Sequence, residues 1–127
     1  NLLFNYVDYQ LWKKEILVTG GAGFVGTNLI KRLVSEGHKV ISIDDYSTGK
    51  KENHIDGTQY INRDICDITG DFVYDPDIIF HLAAKARIQP SFKQPLEYIR
   101  VNYEGTLNLI KLCINICRVF ISSFRSI

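Results

Sequence analysis

The chain has 127 residues, of which 46% are apolar and 23% are charged, and its net charge is +1. This length supports one domain with a real core, and so balanced a charge predicts neither a nucleic-acid nor a membrane partner. The apolar runs fall short of the roughly 20 residues that a membrane-spanning helix needs. Residues 1–12 lack a secretory signal, so we expect a cytoplasmic protein.

The three cysteines, Cys66, Cys113 and Cys117, show no pairing pattern, which argues against a disulfide framework. We expect reduced, packed thiols and no metal site, because no cluster of His or acidic residues accompanies them. The chain contains no methionine, even at position 1. We therefore expect a fragment, a processed product or a partial reading frame.

The periodicity of the chain predicts an N-terminal extension over residues 1–12 and a single domain over 13–127. Apolar repeats at helical spacing predict a helix over 24–35, ended by Gly37. One or two helical turns are expected over 68–74, and a long helix from Pro95 to about 116. Polar segments predict a loop at 45–57 and a loop or broken helix around Pro90. The predicted strands are 15–19, 39–43, 59–62, 77–81 and 118–122.

Strands that alternate with helices are typical of α/β proteins with a parallel sheet. Right-handed crossovers then predict a doubly wound, Rossmann-type sheet with strand order 3-2-1-4-5. The ligand crevice should lie at the carboxyl ends of the first and fourth strands, where the winding reverses.

The segment Thr19 to Gly26 lies at the corner between the first strand and the first helix. Gly20, Gly23 and Gly26 form one glycine spacing, and Gly21, Gly23 and Gly26 form the spacing G-x-G-x-x-G. Glycine permits positive φ and removes the Cβ that would hold a ligand away, while the following helix presents unpaired N–H groups. This context favours a pyrophosphate site over a turn that binds nothing.

Asp44 ends the second strand, 18 residues after Gly26, where a carboxylate can accept hydrogen bonds from a ribose diol. It would repel a 2′-phosphate, so the sequence favours NAD over NADP. Asp45 is the alternative for this role. Three nearby cations could soften the preference, although solvated surface positions are expected for them: Lys50, Lys51 and Arg63.

Together these motifs resemble the extended short-chain dehydrogenase/reductase family, and within it the NAD-dependent nucleotide-sugar epimerases and dehydratases. The resemblance covers about residues 14–123. Its further motifs follow in chain order: Ile43 to Gly49, Asp64 to Asp67, His81 to Ala84, Pro95 to Tyr98, Asn102, and Gly105 with Thr106.

The resemblance implies an NAD site. Phe24 and Val25 would offer backbone N–H groups to the pyrophosphate, Asp64 would accept from the exocyclic amine of adenine, and Ile65 would cover its ring. Asn102 would fix the turn beside the fourth strand or be purely structural, and His81 would be a hydrogen-bonded core residue. The full cofactor-binding set is Gly20, Gly23, Phe24, Val25, Gly26, Asp44, Asp45, Ser47, Thr48, Gly49, Asp64, Ile65, Leu82, Ala83, Ala84 and Lys85.

For the whole enzyme the resemblance implies a nucleotide-sugar substrate, transient oxidation at sugar C4, a UDP-glucose-4-epimerase-like activity, and a homodimer in the full-length form. The family's catalytic hydroxyl would fall on Phe124, and its Tyr-x-x-x-Lys pair would fall beyond Ile127. We therefore predict no catalytic residue and no turnover for this chain alone. The alternatives are a non-catalytic dinucleotide-binding module and a frame-shifted remnant.

Overall fold

The protein is built around one parallel sheet. A computed structural model describes residues 12–69, 72, 74–85, 88–116 and 119–122. The strands are β1 (Glu15–Thr19), β2 (Lys39–Asp44), β3 (Thr58–Asn62), β4 (Ile78–His81) and β5 (Val119–Ser122). They are ordered β3-β2-β1-β4-β5, and each neighbouring pair is parallel. The fold class and strand order predicted from the sequence are confirmed.

Helices connect these strands. The α-helices are α1 (Phe24–Ser35), α2 (Ile88–Lys93), α3 (Pro95–Ile99) and α4 (Thr106–Ile116). A π-helical segment, Arg100–Gly105, joins α3 to α4. Gly37 follows α1 with φ +87° and donates its N–H to Val34 O at 3.0 Å, as a helix-ending glycine should.

Two predicted segments differ in the structure. The described residues of the segment 68–74, where helical turns are expected, are not helical. A 3₁₀ turn lies earlier, at Ile65–Asp67, where the Asp64 side chain accepts from Cys66 N. The long helix expected from Pro95 is interrupted by the wider π-helical segment. The segment around Pro90 forms the short helix α2, which is one of the two expected alternatives.

The two faces of the sheet bury different side chains, as alternation along a strand requires. Leu17 of β1 packs with Val101 and Leu109 on one face. Its neighbours Ile16 and Val18 pack with residues of α1 on the other face. The sheet is therefore covered on both sides, which explains why the middle residues of its central strands are mainly apolar.

A buried polar chain ties the central strands to the last helix. His81, which is 3% exposed, lies between Thr19 Oγ1 on its Nδ1 (2.7 Å) and Thr106 Oγ1 on its Nε2 (2.8 Å). Thr106 donates to Asn102 O, so it accepts from His81 Nε2–H, and Thr19 donates to Nδ1. Burial lowers the pKa of His81 to about 4, so the ring is neutral at pH 7. The expected hydrogen-bonded core histidine is confirmed.

This histidine should make the protein sensitive to mild acid. Between pH 6.5 and 4, His81 binds a proton in the unfolded state but stays neutral in the folded state. The free energy of unfolding therefore falls by about 1.4 kcal/mol for each unit by which the pH falls. Urea unfolding at several pH values should show this slope. His81→Gln should reduce it, whereas the exposed His54→Gln should keep it. An unchanged slope in His81→Gln would contradict the assignment.

Candidate functional site

The turn between β1 and α1 brings backbone close to a cleft. Gly20 has φ +73° and donates its N–H to Ile43 O at 2.8 Å. A Cβ on Gly20 would lie 2.9 Å from Ala83 N, and one on Gly26 would overlap Gly20 O. A Cβ on Gly23 would meet only Gly20 O, at 3.4 Å, and otherwise open space. The first two glycines therefore serve the fold, and Gly23 leaves room beside the turn.

The first turn of α1 faces this space without a polar cap. Gly23 is the N-cap residue, no side chain caps the helix, and its first turn holds no acidic residue. Phe24 and Val25 expose their side chains. A helix start of this kind attracts an anion through its N–H groups and its dipole.

The cleft, with a cavity volume of about 120 Å³, opens at the carboxyl ends of the central strands. It lies where the strand order reverses, as predicted. Its walls are Gly20, Gly23, Ile43, Asp44, Asp45, Ser47, Thr48, Arg63, Asp64, Ile65, Leu82, Ala83, Ala84, Lys85 and Val101.

Twelve of the sixteen predicted cofactor residues line this cleft. The other four, Phe24, Val25, Gly26 and Gly49, are not in its wall. Phe24 and Val25 were predicted to act through backbone N–H groups, and they begin the helix that follows the wall residue Gly23. A Cβ on Gly49 would approach Ala22 and the Asp44 carboxylate to about 2.9 Å, so this glycine allows close packing behind the wall.

Asp44 is the anion that organises one end of the cleft. It is 8% exposed, and its Oδ2 accepts from Ala22 N at 2.9 Å while its Oδ1 accepts from Tyr46 N at 2.8 Å. A carboxylate has about four acceptor positions, so it can still accept from a diol. Asp45 is exposed and accepts from Ser47 N. Asp44 is thus the better held of the two candidates.

Asp64 lies in the cleft wall beside Ile65, and its carboxylate has two hydrogen-bond partners. Its Oδ1 accepts from Cys66 N at 2.9 Å, and its Oδ2 accepts from Arg100 Nη2 at 2.8 Å. Burial alone raises the pKa of Asp64, but the hydrogen bonds from Cys66 and Arg100 outweigh it and lower the pKa below the ordinary value. The group is therefore an anion at neutral pH.

The segment after β4 forms the floor of the cleft. Thr19 Oγ1 accepts from the N–H groups of Leu82 and Ala83 at 3.2 and 3.1 Å. Asn102 Oδ1 accepts from Lys85 N at 2.8 Å, and its Nδ2 donates to Lys85 O at 3.0 Å. This pair of bonds fixes the backbone after β4, which is the turn-fixing role expected of Asn102.

Sequence reasoning missed three wall residues: Ile43, Val101 and, as a site residue, Arg63. Arg63 donates from its guanidinium to Asp67 O in hydrogen bonds that are exposed to solvent. The apolar character of Ile43 at the end of β2 was a usable signal. Nothing local marked Val101, which reaches the cleft from the π-helical segment.

Tyr46 and Lys50 have the spacing Tyr-x-x-x-Lys, but they lie on the loop after β2. The Tyr46 hydroxyl is 2.7 Å from His54 Nε2. Burial, followed by the charge of Asp44, raises the pKa of Tyr46. A tyrosine that acts as a base at neutral pH needs the opposite shift, so the spacing here does not identify a catalytic pair.

The thiol of Cys66 is partly buried, and burial raises its pKa to about 11. It is therefore a packed rather than a reactive thiol, as expected. Cys113 lies on α4 and packs against the core, and Cys117 lies outside the described residues. Within the described ranges, no group of three or more His, Cys, Asp and Glu side chains is placed to hold a metal ion.

Residues 1–11 of the predicted N-terminal extension and residues 123–127, including Phe124, also lie outside the described residues. In the part of the chain that is described, no helix has the length and apolarity to cross a membrane.

The chain is similar in sequence to enzymes that are named for UDP-linked sugars. The chain is 40% identical over 101 residues to the UDP-glucose 4-epimerase of Mycolicibacterium smegmatis, covering 73% of this chain and 32% of that protein. It is 36% identical to the UDP-N-acetyl-alpha-D-glucosaminuronate decarboxylase of Bacillus cytotoxicus, with 78% and 32% covered. The chain thus spans about a third of the length of the curated relatives it matches.

Among solved structures, the Bordetella bronchiseptica enzyme WbmF in complex with NAD⁺ matches with a TM-score of 0.79 and 31% identity, covering 89% of this chain and 36% of WbmF. The family model for the NAD dependent epimerase/dehydratase family matches residues 16–124. The matched range covers most of the chain and includes the glycine turn, Asp44 and the strand ends that form the cleft. The chain therefore belongs to the NAD-dependent epimerase/dehydratase family.

Proposed function

We propose that this chain is the NAD-binding part of a nucleotide-sugar epimerase or dehydratase. The observation that carries the proposal is the opening beside Gly23, where a Cβ would enter open space next to an uncapped helix start. The pyrophosphate of the coenzyme fits there because backbone N–H groups and the helix dipole attract an anion.

Asp44 supports the same placement from the neighbouring strand. Its carboxylate is fixed by Ala22 N and Tyr46 N, and its remaining lone pairs suit the hydroxyls of the adenosine ribose. Asp64 and Ile65 form the next part of the wall and suit adenine. The small residues Ala83 and Ala84 leave room above the floor of the cleft.

In the whole enzyme, NAD would supply hydride-acceptor chemistry for oxidation at sugar C4. The substrate in this proposal is a nucleotide sugar, because the relatives named above act on UDP-linked sugars. The domain at residues 13–127 binds and orients the coenzyme. We assign none of them a proton-transfer step.

The cytoplasmic location and the homodimer stay predictions. The dimer would be compatible with the apolar side chains that α4 exposes, among them Leu107, Ile110 and Ile114.

Gly23→Val is the sharpest test of the pyrophosphate site. Gly23 has φ −82° and ψ 179°, which a branched residue adopts readily, so the fold should survive while the side chain fills the site. Calorimetry should show NAD binding to the unmodified protein and none to the variant. A thermal midpoint within a few degrees of the unmodified protein is the control for folding.

Gly20→Val is unsuitable for this purpose, because its positive φ and the nearby Ala83 N would disturb the fold itself. If Gly23→Val binds NAD with unchanged affinity, the pyrophosphate assignment is wrong.

Asp44→Asn tests the ribose site, with Asp45→Asn as its matched control. The amide can no longer accept from both backbone N–H groups and a diol, and losing charge-assisted bonds of about 1.5–3 kcal/mol should raise the Kd for NAD roughly ten- to hundredfold. The unmodified protein should prefer NAD to NADP, and the variant should lose most of that preference. A large loss in Asp45→Asn with none in Asp44→Asn would reverse the assignment.

A further inference from the structure

Arg100 stands outside the cleft wall but binds a residue of that wall. It begins the π-helical segment, and its Nη2 lies 2.8 Å from Asp64 Oδ2. Its guanidinium also binds Glu97, with Nε 3.1 Å from Oε2 and Nη2 3.2 Å from Oε1. A planar guanidinium that meets two carboxylates in this way has little rotational freedom.

Asp64 needs a cationic partner because its carboxylate is partly buried. Its side chain is only 21% exposed, and one oxygen already caps the 3₁₀ turn through Cys66 N. Without Arg100, the second oxygen would lose its ion pair and remain a partly buried charge. Arg100 offsets that charge and sets the direction of the Asp64 carboxylate. The lone pairs of the carboxylate that face the cleft stay available to a ligand.

The π-helical segment explains how Arg100 reaches this place. In a π-helix the backbone hydrogen bonds join residues i and i+5, so Arg100 and Gly105 lie one turn apart on nearly the same side of the segment. Gly105 packs against Ile65, whose side chain a Cβ at this position would overlap. One face of the segment thus contacts both adjacent wall residues, Asp64 through an ion pair and Ile65 through packing.

Arg100 is also connected to the floor of the cleft. Glu97 Oε1 lies 3.5 Å from Lys85 Nζ, so charges of alternating sign run from Asp64 through Arg100 and Glu97 to Lys85. Lys85 and Arg100 thus bind the same carboxylate, that of Glu97. Lys85 helps to hold Glu97 in place, and Glu97 in turn limits the movement of the Arg100 side chain.

We propose that Arg100 is a positioning residue for adenine recognition, holding the Asp64 carboxylate as a fixed acceptor for the exocyclic amine of the coenzyme. Arg100 itself touches no coenzyme atom in this account. The inference rests on the proposed NAD site.

The test compares NAD with nicotinamide hypoxanthine dinucleotide, which carries a carbonyl oxygen in place of the exocyclic amine. In Arg100→Met, the Kd for NAD should rise about tenfold, the effect of losing one oriented, charge-assisted acceptor. The Kd for the hypoxanthine analogue should change less than twofold, because its exocyclic carbonyl oxygen cannot donate to Asp64. Arg100→Lys should lie between, since a lysine keeps the charge but not the two-pronged geometry.

Arg32→Met is the control, because Arg32 forms an exposed ion pair with Glu36 on α1 and should leave both affinities unchanged. Equal weakening of both dinucleotides by Arg100→Met, or no weakening of either, would overturn the inference while NAD binding by the unmodified protein keeps the proposed function. If the unmodified protein binds neither dinucleotide, both proposals fail together.

Discussion

The carboxylate of Asp44 fixes the turn on which the candidate site depends. By accepting from Ala22 N, it ties the end of β2 to the glycine turn that follows β1. Gly20 N makes a second tie between the same two segments, to Ile43 O. The start of α1 is therefore held at a set distance from the acid. Hydrogen bonds to an ionised group are among the stronger ones in proteins, and Asp44 is only 8% exposed.

A second set of bonds holds the opposite side of the cleft. Thr19 accepts from two N–H groups of the segment after β4, and its hydroxyl continues through His81 to Thr106 at the start of α4. Asn102, four residues earlier, clamps the backbone of Lys85. Neutral His81 suits this place, because a charged ring could not accept from Thr19. Floor and wall are thus joined through the interior rather than by surface contacts.

Local patterns predicted the parts of this arrangement that depend on neighbouring residues. The strand, the glycines and the helix after them share one stretch of sequence, and Asp44 ends the next strand, so their meeting follows from parallel pairing. The 3₁₀ turn at Ile65–Asp67 was missed because one capping carboxylate decides it. Val101 lines the cleft from a π-helical segment, and Arg100 and Asn102 contact wall residues from the same segment. No periodicity in the sequence distinguishes that segment from an ordinary helix.

The most direct measurement is the mapping of backbone amide signals in ¹⁵N-labelled protein as NAD is added. The account predicts large shifts for Gly23, Phe24 and Val25 at the helix start, and little change at Glu36, which follows α1, and at Lys39, which begins β2. Saturable binding that leaves the first three amides unmoved, or no binding at all, would contradict it.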